Sequence, residues 1–329
     1  MLSYLARRIA IAFLTLATVT VLTFWLFFAV PTDPAALQCG KQCTETQLTQ
    51  IRESLGLGRP TYQLYIEYMG GIFTGRTIGR GDFARECPAP CLGYSFRTGE
   101  PVLSMLTRAM PVSFSIVIGA ALLWVCGGLA LGVLSALRRG TWIDKSAIGF
   151  SLVGSSMPIY FVGLMLQLLL VFKLHWFPVP TYVSPFVSPW GWASGLILAW
   201  VTLALLFIAL YTRLTRAQML ETLSEDFVRT ARAKGLPMRT VQLRHALRAA
   251  ITPIVTIAGI DIGTALSSTI ITENVFGLQG LGRLAAQAAV ELNLPIVMAT
   301  VLVAATFIIT ANVIVDVLYA VIDPRVRLG

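Results

Sequence analysis

Long apolar stretches alternate with shorter polar ones along the whole chain. A membrane-spanning helix needs about 20 predominantly apolar residues, and six windows meet this requirement: Ile9–Val30, Val112–Leu137, Ala147–Phe172, Ala193–Thr212, Ile251–Thr272 and Pro295–Tyr319. The first four windows contain no Asp, Glu, Lys or Arg, whereas the last two contain one acid each, Asp261 and Asp316. The pattern therefore predicts an all-α polytopic membrane protein with six transmembrane helices.

The composition agrees with this pattern. Of the 329 residues, 56% are hydrophobic and 12% are charged, whereas soluble domains average about 45–50% and about 25%. The mean hydropathy is +0.75. Because a soluble surface needs more charge than this, the composition argues against a cytosolic enzyme, a disordered protein and a secreted disulfide scaffold.

The net charge of +9 is distributed unevenly over the predicted loops. Apart from the long loop after the first span, 15 Lys and Arg residues lie on the side that holds both termini and two on the other side. Positive charge in short loops is typical of the cytoplasmic side, so both termini are predicted to be cytoplasmic. The basic excess is then a topology signal, and we expect no nucleic-acid partner.

The predicted organisation has three parts: an N-terminal segment with the first helix (1–30), an extracytoplasmic subdomain (31–111) and a five-helix core (112–329). A short helix is predicted in the subdomain at Thr44–Leu55, with Thr44 suited to cap it. The subdomain has four cysteines in two Cys-x3-Cys motifs: Cys39, Cys43, Cys87 and Cys91. An even number of cysteines on the oxidising side favours two disulfides over a metal site, and crossed and local pairings are both open.

The predicted cytoplasmic loop at 213–250 contains another short helix of about ten residues, with signals at both ends. Two N-terminal signals overlap, a Thr222–Glu225 capping box and a Ser224 N-cap. Gly235 is placed to end the helix, and Pro237 prevents its continuation. The loop therefore holds a helix with defined ends between two spans.

One face of this helix is predicted to carry Phe227, Ala231 and Lys234. Small residues along it permit close approach by another surface, so a docking helix for a soluble partner is one interpretation. A basic amphipathic helix lying on anionic lipid headgroups is the alternative.

The residues of this loop resemble the EAA coupling loop of bacterial ABC-importer permeases, in the form found in the dipeptide, oligopeptide and nickel permease family. The similarity spans nearly the whole chain, through an ordered set of segments: Tyr4–Arg8, Pro31–Pro34, Leu55–Pro60, Tyr94–Val102, Phe227–Gly235, Leu243–Pro253, Thr272–Gly282 and Asp323–Arg325. The start of the chain and its long outer loop are similar to the B-type subunit. Arg229–Arg232 departs from the acidic start of the general loop, and the four outer cysteines are not part of the family pattern.

The resemblance implies a type I ABC-importer permease fold and a set of partners in the bacterial inner membrane. They are a second, homologous permease chain, two cytoplasmic ATP-binding subunits and an extracytoplasmic substrate-binding protein, with membrane lipid around the spans. The residues implied to couple to the ATPase are Glu225, Asp226, Phe227, Val228, Arg229, Thr230, Ala231, Arg232, Ala233, Lys234 and Gly235. The substrate is expected to be a peptide, with nickel or another small solute as the alternative.

No nucleotide site is expected in this chain. Its only Gly-Lys pair, Gly40–Lys41, is followed by Gln42 and lacks the Walker A pattern. ATP and Mg²⁺ are therefore expected in the partner subunits, and the chain is not expected to be an enzyme. An ion-gradient-driven transporter and a membrane thiol-exchange protein are the rival classes, but the chain lacks an evident internal repeat and a thioredoxin-type motif.

Polar residues within spans are candidates for the translocation path, because intramembrane ionisable groups are usually functional. The candidates are Asp261, Gln167, Asn312 and Asp316. A hydrogen-bonding role within the bundle is the alternative for Asp261, and an interfacial position near Tyr319 is the alternative for Asp316. Glu273 is predicted either to fix the turn that follows it or to contact the binding protein.

Overall fold

The computed structural model describes residues 2–28, 35, 44–55, 59–78, 84–95 and 97–322. Two of the four predicted outer cysteines, Cys39 and Cys43, lie outside the described residues, as does the side chain of Asp316. The helices are α1 Leu2–Phe28, α2 Glu45–Leu55, α3 Thr61–Thr74, α4 Val102–Leu137, α5 Trp142–Ser156, α6 Ile159–Leu166, α7 Pro189–Ser224, α8 Asp226–Ala233, α9 Met238–Thr240, α10 Leu247–Phe276, α11 Leu281–Val290 and α12 Leu294–Ile322. Gln167–Lys173 after α6 and Val241–Ala246 before α10 are π-helical.

Five helices in the described part of the chain are long and apolar enough to cross a membrane: Arg7–Leu26, Val102–Leu137, Pro189–Ser224, Met238–Phe276 and Leu294–Ile314. The predicted span Ala147–Phe172 is not one straight helix, because α5 and the helical segment after it meet at an angle of 103°. The cause is Pro158, which disfavours a helical conformation in Met157, and Met157 is extended. The number of spans is six if this bent pair counts as one.

Two spanning helices are longer than their apolar windows predicted. The helix α4 begins at Val102 rather than Val112, and α7 continues past Thr212 to Ser224. The added segments contain charged and hydroxyl-bearing residues among apolar ones, including Arg108 and Arg216. An apolar window therefore stops before the helix does. Much of the predicted 213–250 loop is therefore helix.

The chain forms two compact units, Met1–Val112 with Gln279–Val313 and Ser113–Leu278 with Ile314–Gly329. In the second unit, glycines let α4 and α7 approach closely, as small residues do between membrane helices. A Cβ at any of three α4 glycines would overlap α7, at Gly119, Gly128 and Gly132. The indole of Trp200 also donates to the Ser115 carbonyl at 2.9 Å. The α4–α7 contact is therefore a close helix–helix packing within this unit.

In the first unit, α3 packs on α1 through aromatic side chains. Tyr65 lies 2.9 Å from the Thr20 hydroxyl, and Phe24 contacts the Tyr65 and Tyr68 rings. Burial raises the pKa of Tyr68 to about 12. The Arg76 guanidinium lies 4.9 Å from the centre of the same ring. The predicted helix at Thr44–Leu55 is confirmed as α2, with the backbone N–H of Gln47 donating to the Thr44 hydroxyl.

A strand pair completes the described part of the outer subdomain. The strand β1 Arg76–Ile78 runs antiparallel to β2 Arg85–Cys87, with Arg76 opposite Cys87. Cys87 forms a disulfide with Cys91. Of the two arrangements left open by the sequence, this is the local one, and a crossed bond from either cysteine to the other motif is excluded.

Mass spectrometry of peptides from the non-reduced protein is expected to find Cys87 linked to Cys91, because the folded chain holds the two cysteines at a Cα–Cα distance of 5.4 Å. A peptide linking Cys87 or Cys91 to the other motif, or alkylation of both thiols without reductant, would contradict this arrangement.

Candidate functional site

The short helix α8 follows α7 after a single non-helical residue, Glu225, whose ψ of 150° interrupts the helix. Both predicted N-caps are wrong. The Ser224 hydroxyl donates to the Glu221 carbonyl, Thr222 is buried in α7, and Glu225 holds the N-cap position without a side-chain hydrogen bond. Neither capping signal is used, because α7 extends beyond its apolar window and includes both Thr222 and Ser224.

The prediction that Gly235 ends α8 is confirmed. Gly235 has a φ of +77°, a left-handed conformation that glycine adopts readily. Its N–H donates to the Arg232 carbonyl at 2.9 Å, and the Leu236 N–H donates to the Ala231 carbonyl at 3.4 Å. This pair of bonds is a Schellman motif, and it ends the helix after eight residues rather than about ten.

The inner face of α8 is held by Val228, which is fully buried, and Ala231, which is 8% exposed. They belong to one apolar cluster with residues from the ends of α4 and α7, the Val241–Ala246 segment and α10: Ala136, Met219, Val241, Ala246 and Ala250. Of the three residues predicted to share a face, Ala231 is buried, whereas Phe227 and Lys234 are exposed. The helix is fixed to the ends of three long helices.

The outer face of α8 carries the other predicted coupling residues, all exposed: Glu225, Asp226, Phe227, Arg229, Thr230, Arg232, Ala233, Lys234 and Gly235. Phe227 is 45% exposed, and three exposed apolar residues follow the helix, Leu236, Met238 and Leu243. The Arg229–Asp226 pair at 3.6 Å is exposed and contributes little. These exposed residues of α8 and the apolar residues that follow it form a mixed apolar and basic surface, termed the outer face.

A buried ion pair lies beside this region. The Asp144 carboxylate, 3% exposed, accepts from Arg216 Nε at 2.6 Å and Nη2 at 3.0 Å. It also accepts from the Ser135 hydroxyl at 2.6 Å and the Gly140 N–H at 2.9 Å. A bidentate Arg–carboxylate contact adds geometric specificity as well as energy. The cluster therefore connects the ends of α4 and α7 to the start of α5.

The sequence pattern does not predict this ion pair, and Arg216 enters the charge distribution only as one of the basic loop residues. Asp144 is the one acid in the basic stretch 138–146, which is a weak signal, and Arg216 is far from it in the sequence. Only the packing of α5 on α7 brings them together.

Among the described side chains, no hydrogen bond joins Asp261 to Gln167, and the side chain of Asp316 lies outside the described residues. Asp261 is half-buried and accepts from the Tyr211 hydroxyl at 2.7 Å. Gln167 is half-buried and begins the π-helical segment after α6, whereas Asn312 is exposed in the other compact unit. The environment of Asp261 is compatible with both of its predicted roles.

Glu273 is fully buried in α10, and its carboxylate accepts from the Ser113 hydroxyl at 2.5 Å. Its carbonyl accepts from the Leu278 N–H at 2.9 Å. Of its two predicted roles, fixing the turn agrees with this geometry, whereas a contact with a binding protein needs an exposed side chain.

Long apolar helices packed through glycines, with polar groups inside the spans, define a multi-pass α-helical membrane protein. The family described as "Binding-protein-dependent transport system inner membrane component" matches residues 128–328, and its N-terminal companion matches residues 1–117. The chain therefore belongs to the family of inner-membrane components of binding-protein-dependent transport systems.

Curated relatives align over nearly their whole length. The chain is 34% identical to a probable peptide ABC transporter permease protein of Sinorhizobium fredii, over 98% of this chain and 99% of the relative. It is 33% identical to a putative peptide transport system permease protein of Brucella abortus, over 99% of each. It is 34% identical to the dipeptide transport system permease protein DppB of Escherichia coli, again over 99% of each.

Membership confirms the predicted family and the type I ABC-importer permease fold. The chain is a multi-pass inner-membrane transport component, and its family implies partnership with ATP-binding subunits and a substrate-binding protein. Neither an ion-gradient-driven transporter nor a thiol-exchange protein is favoured by this membership.

Proposed function

We propose that the chain is one of two homologous permease chains of an ATP-driven peptide importer, and that α8 couples its spans to a cytoplasmic ATPase. The observation that carries the proposal is the division of α8 into two faces. Val228 and Ala231 are buried against three long helices, whereas the outer face is exposed.

This division supports a protein partner rather than lipid. An amphipathic helix at a membrane surface inserts its apolar face between the headgroups, but the inner face of α8 is already covered by its own chain. A helix of eight residues is about 12 Å long, which suits a cleft in a partner. Since only Glu225 separates α8 from α7, a displacement of α8 is transmitted directly to a spanning helix.

The substrate and the other partners are part of the same proposal. The names of the three relatives favour a peptide over nickel or another small solute. The chain would supply half of the path, with Asp261, Gln167, Asn312 and Asp316 as candidates to line it. A second permease chain would supply the other half, and two ATPases would bind ATP and Mg²⁺. Both termini would face the cytoplasm, with lipid around the spans.

Replacing Gly235 by valine is expected to reduce transport severely. A left-handed conformation costs a residue with a side chain about 1–2 kcal/mol, so Val at φ +77° would disrupt the end of α8. A Cβ at this position meets no atom within 4 Å, so the effect would come from the backbone rather than a clash. Peptide uptake and ATP hydrolysis would be measured in proteoliposomes containing the complete transporter.

The matched control is Gly235→Asn, because asparagine tolerates the left-handed region better than other residues with side chains. We expect Gly235→Asn to keep most of the uptake and Gly235→Val to lose it, with equal helix content by circular dichroism. Wild-type uptake by Gly235→Val would remove the support for coupling through α8.

A further inference from the structure

Asp261 is the only ionisable residue of the predicted span Ile251–Thr272. Charged side chains within membrane spans are costly, and they face the bundle interior or a water-filled cavity. Its side chain is half-buried, so part of it remains accessible. A group of this kind needs either a counter-charge or a ligand.

Among the described side chains, one orients the carboxylate. The Tyr211 hydroxyl donates to Oδ2 at 2.7 Å. Tyr211 itself is fully buried, and its position against Gly128 of α4 leaves no room for a Cβ there. The tyrosine is therefore held rigidly, and it fixes the orientation of the carboxylate.

The other side of the carboxylate has no partner within the part of the chain that the structure describes. No described side chain donates a hydrogen bond to Oδ1, and no described Lys or Arg forms an ion pair with Asp261. A single neutral donor leaves the negative charge uncompensated, which is unfavourable in a medium of low dielectric constant.

Polar residues continue from Asp261 along α10. Thr264 and Ser268 follow at the i+3 and i+7 positions, which share a helix face, and Ser267 lies next to them. Thr264 and Ser267 are exposed, and Ser268 is half-buried. The Thr264 hydroxyl donates to the Asp261 carbonyl at 3.1 Å, so small polar side chains, rather than aliphatic ones, continue along this face from Asp261.

We propose that Asp261, oriented by Tyr211, binds a protonated amino group of the transported solute through its Oδ1 atom. An ammonium group supplies both the missing hydrogen bond and the missing positive charge, and the hydroxyl groups of Thr264 and Ser268 lie on the same face. The inference rests on the proposed function, since a peptide is the solute that carries such a group.

The experiment compares Asp261→Asn, Asp261→Glu and Tyr211→Phe in the complete transporter in proteoliposomes, with radiolabelled dialanine as the probe. Loss of a hydrogen bond to a charged group corresponds to about a tenfold to hundredfold loss of binding, so uptake by Asp261→Asn should fall by that factor. Asp261→Glu should retain most of the uptake, and Tyr211→Phe should raise KM with a smaller loss. ATP hydrolysis stimulated by the binding protein should persist in all three.

A second measurement does not depend on how Asp261→Asn folds. Asp261→Cys would be made in a Cys126→Ala background, because Cys126 is a free cysteine, and modified after reconstitution. A negatively charged methanethiosulfonate should restore part of the uptake, and a positively charged one should not.

Normal dialanine uptake by Asp261→Asn would overturn the amine site and leave the transporter assignment intact, because Asn preserves only a neutral hydrogen-bonding role. Equal losses in Asp261→Asn and Tyr211→Phe, or equal effects of the two reagents, would also overturn it. Absence of dialanine uptake by the wild-type transporter would instead overturn the proposed substrate, and with it this site.

Discussion

Replacing Phe227 by alanine is expected to uncouple transport from ATP hydrolysis. Phe227 is the largest apolar side chain on the outer face of α8 and is 45% exposed. Truncation of a buried aromatic anchor at a protein interface typically costs about 2–4 kcal/mol, enough to weaken docking of the ATPase strongly. Because its side chain is not part of the inner apolar cluster, the fold should be unaffected. Uptake and binding-protein-stimulated ATP hydrolysis in proteoliposomes measure the effect.

The matched control is Phe186→Ala, which removes the same side chain from a position that is 97% exposed and outside α8. It is expected to transport like the wild type. If both variants transport normally, or if both lose transport equally, docking through Phe227 is wrong.

Replacing Asp144 by asparagine is expected to cause the largest loss of stability. Removing one partner of a buried ion pair costs about 3–5 kcal/mol, because the other charge stays buried without compensation. The lower end of this range is expected here, because the Arg216 side chain is 23% exposed. Here the remaining charge would be Arg216, held between the ends of α4, α5 and α7. Thermal unfolding of the detergent-solubilised protein, followed by intrinsic fluorescence, measures the change.

An exposed ion pair supplies the control. Glu67 lies 2.9 Å from Arg59, with side chains 50% and 43% exposed, and exposed pairs contribute about 0–1 kcal/mol. Glu67→Gln should therefore change the unfolding temperature little. Equal unfolding temperatures for Asp144→Asn and Glu67→Gln would show that the buried pair contributes no more than a surface pair.

Features determined by neighbouring residues were predictable. Gly235 and Pro237 end α8 through backbone conformation alone, and Thr44 caps α2 within one turn. The apolar windows located the spanning helices because membrane thickness sets their minimum length. The same windows missed the bend at Pro158, since proline does not lower the hydropathy of a segment enough to divide it.

Features determined by packing were not predictable. The buried face of α8 depends on Met219 and Val241, which come from other helices. Asp144 and Arg216 meet only because α5 packs on α7. Periodicity in α8 does not identify which of two apolar residues, Phe227 or Val228, faces the protein. Long-range contacts thus decided the geometry of the site.

Site-specific photo-crosslinking tests the coupling role of α8 most directly. A photoreactive amino acid would replace Arg229, whose side chain is 74% exposed on the outer face, and in a second variant Phe186 as the control. In the assembled transporter, position 229 is predicted to crosslink to an ATP-binding subunit, with a yield that changes on addition of ATP, and position 186 is not. Crosslinks from position 229 to lipid alone would contradict the role of α8 in coupling.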